Sequence, residues 1–174
     1  GGVDNIFPHH ENEIAQSCAE SGKLFVNYWL HNEHLLVDSQ KMSKSLGNYF
    51  TLRDLLKKGY SAEAIRYTLI STHYRSKLNF TFDKLQNSQR SINKIKELKR
   101  RLLHAHEKNL RGSGCDETKT MLIKFSEKLE DDLNISGALG ELFIWINWLF
   151  VKLDEQKVNL RSSQEALKRP HPGQ

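Results

Sequence analysis

Lys41-Met42-Ser43-Lys44-Ser45, continuing as Leu46-Gly47-Asn48, sets two lysines and two hydroxyls on a segment short enough to close over a polyphosphate. Lysine ammoniums are compact charges on flexible stems and can follow phosphate oxygens as negative charge moves between them. Ser43 and Ser45 add hydrogen-bond donors, and Gly47 keeps the segment pliable. ATP is the ligand this pattern suggests. An exposed basic loop of no special function would have the same residue types, so the reading depends on what surrounds it.

On its N-terminal side the loop emerges from Leu35-Leu36-Val37, which reads as a short buried strand running into a turn at Asp38-Ser39-Gln40. Further back, Phe25 to Leu30 reads as a short apolar helix or strand. Pro8 suits a first helical turn, and Ile14, Ala15, Cys18 and Ala19 recur at helical spacing up to a stop at Gly22. On this reading His9 and Glu13 lie on a helix and share a face. On the C-terminal side Thr51-Leu52-Arg53-Asp54 has the spacing of a capping box, followed by an apolar stripe of Leu52, Leu55 and Leu56 that stops at Gly59. Ser61 is placed to cap a helix with Ala64, Ile65, Thr68 and Leu69 facing inward.

From Phe82 the pattern becomes that of long amphipathic helices. Leu85, Ile92, Ile95, Leu98 and Leu102 form one side, and Lys94, Lys96, Lys99, Arg100 and Arg101 supply charge on the other as far as about His106. Residues 109–118, with Gly112-Ser113-Gly114, read as a linker. Met121, Leu122, Phe125 and Leu129 mark the next helix. Leu139, Leu142, Phe143, Ile146, Leu149 and Leu153 mark another, apolar nearly all round and therefore expected to be buried, with Trp145 and Trp148 read as core residues rather than base-stacking platforms. His104 and His106, near a helix C-terminus, need no metal. The polar tail 161–174 is expected to fray.

The chain has 174 residues, 38% of them hydrophobic, which is enough for one ordinary domain or two small layers. Its net charge of +5 permits contact with nucleic acid without requiring it. Leu142 to Val151 is broken by Asn147 and falls well short of the roughly 20 residues of a membrane span, so no membrane partner is expected. Two cysteines, Cys18 and Cys115, make no disulfide framework. With no initiator Met and no signal segment, the chain reads as a fragment of a cytoplasmic protein.

Gly1-Gly2-Val3-Asp4, Phe7-Pro8-His9-His10-Glu11-Asn12-Glu13 and the lysine loop, in this order and at this distance, resemble the second half of the catalytic domain of the cysteinyl-tRNA synthetase family, which belongs to class I of the aminoacyl-tRNA synthetases. The resemblance is strongest from Gly1 to about Asn79 and recurs at Glu130-Asp131-Asp132-Leu133-Asn134, where Ile135-Ser136 stands in place of the family's usual Thr-Pro. It implies a mainly α fold with a small α/β part. The distal portion of a Rossmann-like nucleotide-binding domain (1–50) would be followed by a helical connector (51–108), the linker, and a helical bundle of the tRNA-binding region (119–160).

The resemblance also assigns roles. Lys44, then Lys41, would be the catalytic cations on ATP, which is used with Mg2+, and Ser43 and Ser45 would assist them. Gly2 and Asp4 would meet the adenosine part, with Asp4 on the ribose hydroxyls, and His10 and Asn12 would line the site. His9 and Glu13 would be two of four protein ligands of a zinc ion that binds the substrate thiolate, because sulfur binds zinc better than a hydroxyl does. Both family cysteines that complete this set are missing, and Cys18 does not match either. Lys94, Lys99, Arg100 and Arg101 would meet tRNA phosphates. The partners implied are cysteine, ATP and tRNA-Cys, with doubtful activity for the fragment alone. Two alternatives remain at this point: a ligase that joins cysteine to an amino sugar, which would lack the helices beyond Asp116, and a non-catalytic helical RNA-binding module.

Overall fold

A computed structural model describes residues 1–107 and 115–155. Helix α1 (Glu11–Ser21) is preceded by a kinked turn at Ile6–His10, in which Phe7 is extended, and stopped by Gly22, whose φ of 63° is the left-handed conformation that glycine adopts without a Cβ penalty. Strands β1 (Leu35–Val37) and β2 (Gln40–Lys41) form a tight hairpin. Helices α2 (Leu52–Lys57) and α3 (Ala62–Ile70) follow, and then strand β3 (Leu78–Phe80). Three longer helices complete the fold: α4 (Phe82–Glu107), α5 (Cys115–Glu130) and α6 (Ile135–Asp154). The described chain is mostly helical with one small sheet.

The sheet order is β2-β1-β3. β1 pairs antiparallel with β2, with Leu36 opposite Lys41, and parallel with β3, with Leu36 opposite Asn79. Parallel neighbours need a long crossover, and α2 and α3 provide it.

Local signals start both helices. Thr51 Oγ1 accepts from Asp54 N at 3.2 Å while Thr51 N donates to Asp54 Oδ2 at 2.9 Å, and Ser61 Oγ accepts from Ala64 N at 3.2 Å. Ser61 N also donates to Gln89 Oε1 at 3.0 Å, which seats the start of α3 against α4.

Among the described residues two apolar cores result. Val37, Leu55, Ala64, Ile65, Phe80 and Leu85 pack beneath the sheet with Met42, Phe50 and Tyr60 around them. Leu98, Ala105, Ile146 and Leu149 join α4 to α6, with Trp145 and Trp148 packed against them and Trp145 Nε1 donating to Thr118 Oγ1 at 3.2 Å.

Several expectations need correction. Phe25 to Leu30 forms neither helix nor strand, and Phe25, Tyr28, Trp29 and Leu30 all keep a large part of their surface in solvent, so no packed face holds the segment in a regular element. Leu69 is 47% exposed and faces a groove with Leu30, Leu35, Leu78 and Leu133, while Leu52 and Leu56 are also exposed and only Leu55 of that stripe is buried. Helix α6 is not buried all round: Ile144 and Val151 are 65% and 54% exposed, since α4 and α5 cover only part of its circumference. At 20 residues α6 is also long and apolar enough by composition to cross a membrane, although one side of it packs into the second core. Residues 115–118 of the expected linker are already helical. The rest of that linker, residues 156–160 of the expected bundle and the tail 161–174 lie outside the described residues.

Candidate active site

The lysine loop is held from both ends and from beneath. Lys41 closes β2, and Met42 turns into the core under the sheet, which leaves the ammoniums of Lys41 and Lys44 on the surface. Asn48 braces the loop internally, its Oδ1 accepting from Ser43 N at 2.8 Å and its Nδ2 donating to Lys41 O at 3.1 Å. Leu46 N donates to Ser43 Oγ at 3.2 Å, and the Ser43 and Ser45 hydroxyls lie 3.1 Å apart. Gly47, at φ 67°, makes the return, its N donating to Lys44 O at 3.2 Å. Lys44 Nζ lies over the Tyr49 ring, 5.5 Å from its centroid, an interaction weak enough at an exposed site to yield to a phosphate.

The glycine segment runs alongside Asn32: Val3 N donates to Asn32 O at 3.1 Å, and Asn32 N donates to Gly1 O at 2.8 Å. A Cβ at Gly1 would meet the His10 ring and one at Gly2 the Asp4 carboxylate, each at 2.4 Å, so a larger residue at either position requires the facing side chain to move. The chain from Asn32 leads directly into β1, so the glycine edge and the lysine loop hang from neighbouring parts of one backbone.

His9 lies in the kinked turn before α1 rather than in the α-helix itself, yet its Nε2 is 3.9 Å from Glu13 Oε1. Both side chains are exposed, at 65% and 47%, which leaves their donor atoms available to an ion. They form two adjacent donors of the N,O type zinc accepts. Among the described residues no group of three or more His, Cys, Asp or Glu is placed to hold a metal. Cys18, half-buried on α1, belongs to no such group.

Spacing rules did not reveal the ring cluster beside them. His10 Nδ1 and His31 Nε2 are 2.8 Å apart, and Trp29 packs on both rings, with centroids 4.6 Å from His10 and 6.0 Å from His31. Partial burial lowers the basicity of the His10 imidazole, and the facing His31 lowers it further. The only sequence signal was a Trp-Leu-His run in a segment without periodicity.

The basic helix carries more internal ties than its charge suggests. Lys94 Nζ donates to Asn147, Arg100 grips Glu97 with Nε and Nη2 at 2.8 Å each, and Arg101 bridges Glu97 at 2.9 Å and Asp154 at 2.8 Å. These guanidiniums, Arg100 first, pull the Glu97 carboxyl down to about 2. Lys99 is exposed.

The glycine edge bridged to Asn32 and the braced lysine loop after β2 are joined through β1. The chain belongs to the family of class I tRNA synthetase catalytic domains: the model described as tRNA synthetases class I (C) catalytic domain matches residues 1–90. Within that class the chain is similar to cysteine–tRNA ligases. That of Brachyspira hyodysenteriae is 49% identical over 171 residues, covering 94% of this chain and 35% of the relative. That of Protochlamydia amoebophila is 45% identical over 167 residues, covering 96% and 35%, and that of Chlamydia muridarum is 48% identical over 174 residues, covering 95% and 35%. The chain spans about a third of the length of the curated relatives it matches.

Proposed function

We propose that this chain is the lysine-loop part of a cysteine–tRNA ligase that activates cysteine with ATP and transfers it to tRNA-Cys. The observation that carries this reading is the loop itself, with Lys41 and Lys44 exposed on a backbone braced by Asn48 and anchored by Met42. Residues 1–50 would be the distal portion of a Rossmann-like nucleotide-binding domain, 51–108 the helical connector, and 119–160 the start of the tRNA-binding bundle. The enzyme would work in the cytoplasm, away from membranes. Helices α5 and α6, and likeness to the ligases over nearly the whole chain, favour tRNA over an amino sugar as acceptor.

In the first step a carboxylate oxygen of cysteine attacks the α-phosphorus of Mg2+-bound ATP, the bond to the bridging oxygen breaks, and pyrophosphate leaves. Lys44 would move from Tyr49 onto the departing oxygens, with Lys41 behind it and the Ser43 and Ser45 hydroxyls donating. Such stabilisation accelerates the step because it strengthens as charge develops. Asp4 would hold the ribose hydroxyls, and Gly2 would let the backbone come close. In the second step a terminal tRNA hydroxyl takes the cysteinyl group and AMP leaves.

His9 and Glu13 would hold one side of a zinc ion, with further ligands from outside the described residues. Bound zinc would favour a thiolate over the hydroxyl of serine. Lys94, Lys99, Arg100 and Arg101 would face tRNA phosphates along α4.

The test is cysteine-dependent exchange of pyrophosphate into ATP by the complete protein, followed by charging of tRNA-Cys. Exchange with cysteine but not serine, together with charging, is the expected result. Exchange followed by transfer only to an amino sugar would replace the acceptor, and absence of exchange would reject the reading.

A further inference from the structure

The lysine loop leaves the sheet through Asp38 and Ser39, whose φ angles are 48° and 65°. Two consecutive positive φ angles in a two-residue hairpin suit Asn-Gly, Asp-Gly or Gly-Gly, and here the second residue carries a Cβ. Left-handed backbone at such residues is costly and persists only where the surroundings over-determine it.

The restraint comes from the neighbouring strand. Ser39 N donates to Asn79 Oδ1 at 2.7 Å, Asn79 Nδ2 donates to Ser39 Oγ at 3.0 Å, and Asp38 N donates to Phe80 O at 3.1 Å. Asn79 is well placed for this. It sits at the centre of β3 in register with Leu36, while its neighbour Phe80 is buried in the core below. One amide therefore holds both the backbone and the side chain of a single turn residue, and its own strand cannot shift without disturbing the core. At the far end Asn48 holds Lys41 O and Ser43 N. The backbone from Ser39 to Ser43 is thus tied at both ends.

We propose that Asn79 is a positioning residue for the lysine loop: it clamps the Asp38–Ser39 turn and so sets the direction in which Lys41 and Lys44 leave the sheet. The inference rests on the ATP reading of the loop for its catalytic consequence, though not for the clamp itself. A misplacement on the scale of an ångström at a reacting centre slows chemistry strongly, so the clamp acts on rate more than on substrate affinity.

Asn79→Leu removes both hydrogen bonds while keeping the branching and heavy-atom count of the side chain. Asn79→Asp keeps them, because the carboxylate accepts from Ser39 N and the Ser39 hydroxyl can reverse to donate to it. Hydrogen exchange on the 174-residue chain tests the clamp: residues 39–43 should exchange faster in Asn79→Leu and near the wild-type rate in Asn79→Asp, and unchanged exchange in Asn79→Leu overturns the proposal. In the complete ligase, with active sites counted by adenylate burst, Asn79→Leu should lower kcat for pyrophosphate exchange by up to about a hundredfold with KM for cysteine unchanged, and Asn79→Asp should restore it. A loosened loop with unchanged kcat per active site also overturns the proposal, since Asn79 would then serve folding alone. Failure of the wild-type ligase to exchange pyrophosphate would reject the functional reading instead, while the hydrogen-exchange result would still decide the clamp.

Discussion

Arg75 Nε donates to Asp132 Oδ2 at 2.7 Å, joining residues 57 positions apart in the chain. The Tyr74 hydroxyl donates to the same carboxylate, His73 Nε2 lies 2.8 Å from Asp132 O, and Ser136 Oγ donates to Ser71 O at 2.8 Å. Together they fasten the segment after α3 to the turn between α5 and α6. Asp132 and Leu133 there have φ of 50° and 57°, and Asn134 caps α6 by accepting from Gly137 N at 2.9 Å.

This fastening has a pH signature. The Tyr74 hydroxyl, then Arg75, holds the Asp132 carboxyl below its ordinary value of 3.8. A carboxyl depressed in the folded state contributes stability that is complete above its ordinary value and lost as pH falls through the lower folded one. Asp132→Ala should therefore melt below the wild type at neutral pH and show faster hydrogen exchange at residues 131–136. The gap should close in acid below 3.8. A gap independent of pH would mean that the charge contributes nothing.

Lys44→Ala in the complete enzyme should lower kcat for adenylate formation roughly a hundredfold, the usual cost of one charge-stabilising donor, with a much smaller change in KM for ATP. Lys41→Ala should do less. Transfer from preformed adenylate to tRNA should be largely spared, because no pyrophosphate leaves in that step. Single-turnover measurements of the two steps provide the check, and equal slowing of both would rule out the assigned role.

For the metal, His9→Ala should reduce zinc affinity of the complete protein by more than the roughly 10–100-fold that follows loss of a mere supporting partner. Cysteine activation should fall with it. The readout is zinc content after dialysis against a graded chelator series, and retention equal to wild type would remove His9 from the ligand set.

Along α4 the internal ties separate the cations. Lys99→Ala should raise KM for tRNA and reduce the salt slope of binding by about one without altering the melting temperature. Lys94→Ala and Arg101→Ala should also destabilise the contact of α4 with α6, because their partners Asn147 and Asp154 lie on that helix. Differential scanning calorimetry beside a tRNA titration at several salt concentrations distinguishes the two effects. If Lys99→Ala leaves tRNA binding unchanged, the exposed charge is only a solvated face.

What the sequence by itself determined was local. The Thr51–Asp54 box, the Ser61 cap, the Gly22 stop and the stripe of Leu85, Ile92, Ile95 and Leu98 each depend on groups three to seven residues apart, where helix geometry alone dictates who meets whom. The His9–Glu13 spacing was legible for the same reason, whereas the lysine loop was read from its residue types and from the family resemblance. Tertiary structure alone decided that Trp29 and His31 gather around His10, that α6 keeps Ile144 and Val151 in solvent, that Asp132 receives Tyr74 and Arg75, and that Asn79 holds Ser39. Those contacts join residues 19 to 58 positions apart, or depend on how much of a helix its neighbours cover. No spacing rule encodes such distances, because they are set by how separately formed elements pack.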